Sequence, residues 1–171
     1  MLTLITGGAS SGKSSYACRR AAESGARVLY VATCVARDDA MRAKVKRHQA
    51  ERPTSWQTCE RSRNVAAALE AGFDAAVVDC LTLLISQMLV EERPEAEILA
   101  EIERLAAARP GYPVYVVTNE VGSGVIPANE LARRFAVLQG HANQRVAARA
   151  DAVVWMVSGQ PLAVKGSACS S

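Results

Sequence analysis

Aromatic residues are scarce in this chain: Phe, Trp and Tyr make up 5% of its 171 residues. Proteins that bind single-stranded nucleic acid stack bases on aromatic side chains set in a basic groove. With few aromatics and a formal net charge of only +3, no nucleic-acid partner is expected, and a nucleotide-driven DNA-handling module is the weaker alternative. No apolar run approaches the ~20 residues that a membrane-spanning helix needs. The sequence also lacks a charged leader, long apolar segment and small-residue cleavage site at its start. A soluble, cytoplasmic protein without a membrane span is the expectation. Cys18, Cys34, Cys59, Cys80 and Cys169 stand far apart, with no C-x-x-C pair, so neither a zinc site nor a redox dithiol is indicated. Reduced thiols, mostly buried, are expected instead. The Asn-Lys-x-Asp guanine motif of regulatory GTPases is missing too, which disfavours a switch GTPase.

What the chain does contain is concentrated near its start. Gly7-Gly8-Ala9-Ser10-Ser11-Gly12-Lys13-Ser14 fits G-x-x-x-x-G-K-[ST]. The apolar run Leu2–Thr6 precedes it and a helical stretch from Lys13 to Ser24 follows. In such a loop the backbone N–H groups cradle phosphates, the lysine ammonium reaches them, and the Ser14 hydroxyl is offered to Mg2+. In that context a ligand-free glycine-rich turn is the lesser alternative.

Short runs rich in Val, Ile and Leu recur at Leu2–Thr6, Arg27–Ala32, Ala75–Asp79, Pro113–Thr118 and Ala152–Val157. Few of them alternate cleanly, as expected of strands covered on both faces. Helical composition fills Lys13–Ser24, Asp38–Gln49, Asn64–Ala71, Leu81–Val90, Pro94–Ala108 and Asn129–Ala150. Trp56–Cys59 is a further candidate strand, and Leu162–Lys165 a last, antiparallel one. The alternation predicts an α/β fold, a mostly parallel central sheet flanked by helices in three layers. A chain of this length fits one domain, here residues 1–165, with 166–171 as a frayed tail. Ligands of open sheets sit beyond the carboxyl ends of the strands. That rule gathers the loop, Thr33-Cys34, Asp79 and Thr118-Asn119-Glu120 along one edge.

Asp79 closes Ala-Ala-Val-Val-Asp, and in phosphate-loop enzymes such an acid holds Mg2+ directly or through water. A helix cap is the alternative, since helical sequence starts at Leu81. The segment Thr118-Asn119-Glu120-Val121-Gly122-Ser123-Gly124-Val125-Ile126-Pro127 leaves a strand end as a glycine-containing loop, a candidate substrate wall. His48 is one of two histidines, with Arg42, Lys44, Lys46, Arg47 and Arg52 crowded around it. An exposed histidine on a solvated helix face is the bland alternative. Nearby cations nevertheless favour a neutral imidazole, the form that attacks phosphorus.

These residues, in this order, resemble a known family. The loop, Ala32-Thr33-Cys34, His48-x-x-x-Arg52-Pro53, Glu60, the strand ending at Asp79, Thr118-Asn119-Glu120-Val121-Gly122-x-Gly124 with Pro127, Asn143-Gln144-Arg145, and Val157-Ser158-Gly159 with Lys165 are similar to the bifunctional adenosylcobinamide kinase and adenosylcobinamide-phosphate guanylyltransferase of cobalamin biosynthesis. The likeness runs from about Thr3 to Lys165. It implies a P-loop, RecA-like fold and two reactions. A nucleoside triphosphate, ATP or GTP, phosphorylates the aminopropanol hydroxyl of adenosylcobinamide. GTP then transfers GMP through a guanylylated histidine, aligned with His48, to adenosylcobinamide phosphate. The resemblance assigns Ala32, Thr33, Cys34, Gln49, Ala50, Glu51, Arg52 and Glu60 to the guanine nucleotide, and suggests a homotrimer. Lys13, the loop amides and Mg2+ at Ser14 would stabilise departing pyrophosphate. Location alone makes Glu120 a candidate for the base of the kinase step.

Overall fold

Seven strands form one sheet in the computed structural model, which describes residues 1–33, 53–69 and 71–166. They are β1 (Leu2–Gly7), β2 (Val28–Ala32), β3 (Gln57–Glu60), β4 (Ala75–Asp79), β5 (Val114–Val117), β6 (Ala152–Val157) and β7 (Gln160–Lys165). The helices are α1 (Lys13–Ser24), α2 (Leu81–Val90), α3 (Glu95–Ala107) and α4 (Glu130–Arg149). The spatial order is β3-β2-β4-β5-β1-β6-β7. Every pairing is parallel except that of β6 with β7.

Two apolar layers explain why the inner strands read as continuous hydrophobic runs. Leu4, Val31, Val78 and Val116 face one way and meet Leu84, Ile98 and Leu138 of α2, α3 and α4. Their sequence neighbours Ile5, Tyr30, Val77 and Val117 face the other way, against Tyr16, Ala17 and Ala21 of α1. The alternation of side chains along a strand thus sends each run into both layers. Helices therefore cover both faces of a mostly parallel sheet, as the alternating pattern predicts.

Three elements differ from the sequence expectation. The helix expected over Asn64–Ala71 is a single 3-10 turn, Val65–Ala68. Asn64 enters it in left-handed geometry (φ 51°), and its first N–H is held by the buried Glu101 carboxylate (2.8 Å) instead of by a continuing helix. β3 lies one residue beyond Trp56–Cys59, because parallel pairing sets Gln57 against Leu29 and Glu60 against Ala32. β7 begins at Gln160, where a two-residue turn with positive φ at Ser158 and Gly159 closes a hairpin with β6. The expected helix Asp38–Gln49 and all but the first residue of the tail 166–171 lie outside the described residues. Cys18, Cys59 and Cys80 take part in no disulfide. No helix of the described residues is long and apolar enough to cross a membrane.

Candidate active site

The carboxyl ends of β3, β2, β4, β5 and β1 succeed one another along a single edge, bringing Glu60, Ala32, Asp79, Thr118 and Gly7 to it in that order. Gly7 turns out of β1 with φ 146°, and a Cβ there would stand 2.5 Å from the Met156 carbonyl oxygen. Only glycine fits so close to β6. Ser10 and Gly12 take left-handed φ values of 56° and 90°. The chain then enters α1, whose Tyr16 N–H donates to Gly12 O at 2.9 Å. The first-turn N–H groups of α1 thereby face the loop, an arrangement that favours anions. The β6–β7 turn props the loop from outside: Gly159 N–H donates to Ser11 O at 3.1 Å.

Lys13 is buried, and its ammonium folds back to donate to Gly8 O. Burial pulls its pKa below the ordinary lysine value, against the opposing field of Asp79. A phosphate placed in the loop would supply the counter-charge that burial makes valuable. Gly8, Ala9 and Ser10 are exposed, and Ser14 is half-buried at the head of α1.

Asp79 is not a helix cap. Cys80 occupies the N-cap of α2 and makes no side-chain capping bond. The Asp79 carboxylate instead accepts a 2.6 Å hydrogen bond from the Tyr30 hydroxyl. With Ser14 it offers hard oxygen donors suited to Mg2+, an ion commonly held by one or two carboxylates plus substrate phosphates. No cluster of three or more His, Cys, Asp or Glu side chains forms among the described residues.

Thr33 is wholly buried. Its hydroxyl accepts from Cys80 N and donates to Cys80 O, both at 2.7 Å, while Thr33 N–H donates to Asp79 O at 3.0 Å. It pins the turn that carries Asp79. The Cys80 thiol is pushed up to about 12 by burial and by the Asp79 charge, so it stays protonated at neutral pH and is no nucleophile. Ala32 is half-buried beside Glu60, which is exposed. His48, Cys34, Gln49, Ala50, Glu51 and Arg52 lie outside the described residues.

Three contributors escaped sequence reasoning: Tyr30, Thr6 and Gln139. Thr6 donates to Glu120 Oε1 at 2.8 Å. Gln139 is wholly buried and donates to Thr118 Oγ1 and Asn143 Oδ1, both at 2.9 Å. A signal for this pair was available: Gln139 and Asn143 stand four apart, next to the buried Leu138, Ala142 and Val146 of α4. For Tyr30 there was none, since its reach to Asp79 depends on strand register.

Comparison with known proteins places the chain in a family. The family model described as "Cobinamide kinase / cobinamide phosphate guanyltransferase" matches residues 3–164. The bifunctional adenosylcobalamin biosynthesis protein CobP of Pseudomonas aeruginosa is 40% identical over 171 residues, spanning 97% of this chain and 98% of that protein. The corresponding CobU proteins of Salmonella typhimurium and Escherichia coli are 38% and 36% identical, each over 96% of this chain and all of their own length. Among solved structures, the RadB recombinase aligns with a TM-score of 0.48 at 18% identity, over 90% of this chain and 73% of its own.

Proposed function

The chain belongs to the cobinamide kinase / cobinamide phosphate guanyltransferase family and is a bifunctional enzyme of cobalamin biosynthesis; on that premise we propose how its residues divide the two reactions. In the first, a nucleoside triphosphate seated in Gly7–Ser14 gives its γ-phosphoryl group to the aminopropanol hydroxyl of adenosylcobinamide. In the second, the His48 imidazole attacks the α-phosphorus of GTP and pyrophosphate leaves. The phosphate of adenosylcobinamide phosphate then attacks the guanylylated histidine, giving adenosylcobinamide-GDP. A covalent relay splits one difficult displacement into two easier ones.

The observation that carries this reading is the meeting of the phosphate loop, buried Lys13 and Asp79 at one sheet edge in a member of this family. Lys13 and the loop amides bind the phosphates and stabilise the charge that grows on the leaving group. Ser14 and Asp79 would hold Mg2+, which when bound neutralises phosphate charge. Glu60 stands four strands from β1, about 19 Å at the usual strand spacing. A nucleotide laid along this edge with its phosphates in the loop carries its base toward Ala32 and Glu60, where a carboxylate can accept guanine N–H groups. Cys34, Gln49, Ala50, Glu51 and Arg52 complete the guanine nucleotide's surroundings in this reading. The reactions run in the cytoplasm, with no nucleic-acid partner, on a homotrimer.

Labelling with α-32P-GTP and γ-32P-GTP, each with Mg2+, tests the relay. Acid-labile, alkali-stable label from the α-position alone, absent in His48→Ala, is the expected result. The same variant should keep most of its kinase rate. Guanylyl transfer retained in His48→Ala would sink the assignment. Nucleotide binding with no covalent label would leave a kinase alone.

A further inference from the structure

β5 lies between β1, which leads into the phosphate loop, and β4, which ends at Asp79. Whatever follows β5 therefore emerges between the lysine and the acid. The residues that follow are Thr118, Asn119 and Glu120.

Glu120 is stitched to the entrance of the loop at two points. Its N–H donates to Gly7 O at 3.0 Å, and its Oε1 accepts from the Thr6 hydroxyl at 2.8 Å. Behind it lies a polar network inside the protein. Thr118 and Gln139 are wholly buried. Thr118 donates to Asn143 Oδ1 (2.7 Å), Asn143 donates to Asn119 O (3.1 Å), and Asn119 N–H donates to Thr82 Oγ1 (3.0 Å). Burying polar side chains costs free energy that apolar ones would not, and Gln139 Oε1 finds no hydrogen-bond partner among the described residues. Packing alone does not account for that investment. Its result is a fixed backbone at Asn119, one residue before the carboxylate.

Glu120 is an exposed residue. Thr6 holds one of its two oxygens, which orients the group while the chemistry of a carboxylate leaves it further acceptor capacity. Asp79, the other acid between the loop and β4, is turned to Tyr30. Glu60 lies at the far side of the edge.

We propose that Glu120 is the general base of the phosphoryl-transfer step, an assignment that rests on the kinase reading above. The substrate hydroxyl oxygen attacks the γ-phosphorus while its proton passes to the Glu120 carboxylate. The bond from the γ-phosphorus to the β–γ bridging oxygen breaks, and its electron pair leaves with the nucleoside diphosphate in the loop. The products are the phosphate monoester, the diphosphate and a protonated Glu120, which returns its proton to solvent.

The test measures kinase kcat and KM with cobinamide and ATP, and nucleotide dissociation constants without cobinamide, for the full chain and for Glu120→Gln, Glu120→Asp and Thr6→Val. A positioned base contributes roughly 10²- to 10⁴-fold, and a loss in that range is expected in kcat for Glu120→Gln. Its nucleotide dissociation constant should stay within about threefold of wild type. Glu120→Asp should recover part of the rate, and Thr6→Val should lose less than Glu120→Gln. A Glu120→Gln kcat within about threefold of wild type overturns the assignment alone. So does a loss of nucleotide affinity that parallels the loss of rate, with no recovery in Glu120→Asp. A wild-type chain that phosphorylates no cobinamide overturns the functional reading and this assignment together.

Discussion

Tyr30 shows how one hydroxyl can decide where an acid points. Its 2.6 Å bond fixes Asp79 Oδ2, and a hydrogen bond to a charged group contributes about 1.5–3 kcal/mol. Tyr30→Phe keeps the ring in the layer against α1 and removes the hydroxyl that donates to Asp79. Mg2+-dependent tightening of nucleotide binding should weaken by about tenfold to a hundredfold, with affinity in EDTA unchanged, the scale on which outer partners of metal ligands act. Calorimetric titration of nucleotide at a series of Mg2+ concentrations checks it. An unchanged Mg2+ dependence would mean that Asp79 is oriented by something else. Asp79 was legible in the sequence because a carboxylate after four apolar residues breaks the pattern of a buried strand. Tyr30 was not, because a tyrosine inside Val-Leu-Tyr-Val-Ala reads as core, and the structure does bury it. Its polar tip finds Asp79 only because β2 and β4 are in parallel register, Tyr30 against Val77 and Ala32 against Asp79. Thr33 gave a related ambiguity: the resemblance sets it beside the nucleotide, and its side chain is spent on Cys80.

At the scale of the element, the phosphate loop behaves as a part clamped between β6 and α1. Its glycines are not equivalent. Gly7 has a positive φ and no room for a Cβ against Met156 O, whereas at Gly8 an added Cβ meets nothing within 4 Å. Backbone strain of this kind costs about 1–3 kcal/mol, and each kcal/mol moves Tm by about 2–4 °C for a chain of this size. Thermal unfolding of the unliganded protein should thus show Gly7→Ala melting about 2–12 °C below wild type, by those two scales together. Gly8→Ala should change Tm by less than about 2 °C, as exposed substitutions without special contacts do. Equal effects at the two positions would show that the clamp on Gly7 is not what the loop relies on. The motif pattern names both glycines without ranking them, because the ranking comes from β6, which is about 145 residues away in sequence. Local patterns likewise captured α1, α2, β4 and β6 to the residue. They overextended the Asn64–Ala71 segment, where a buried Glu101 from α3 takes the place of helical bonding.

At the scale of the whole molecule, β6 and β7 leave apolar side chains of the sheet exposed. Trp155 and Val157 stand on one face of β6, and Leu162 is paired with Trp155 on β7; they are 43%, 43% and 53% exposed. Cross-strand partners share a face, so these side chains form a continuous apolar surface at the sheet edge. Surfaces of this kind on soluble proteins mark contact sites. Composition gave no sign of it, because half of the chain is hydrophobic and only the fold sorts buried from exposed. The proposed homotrimer would cover this surface, and it would do so beside the active site, since the turn that joins β6 to β7 supports the phosphate loop through Gly159 and Ser11. Light scattering coupled to size exclusion should therefore find a trimer for the wild type. Trp155→Asp with Leu162→Lys should yield monomer that retains its helical signal, because neither side chain belongs to the buried core. Nucleotide affinity should fall in the same variant as the turn beneath the loop loses its neighbour. Trimer persisting in the double variant would move the contact to another surface. A wild type that runs as a monomer at all concentrations would remove the assembly from the proposal, leaving each chain to carry its reactions alone.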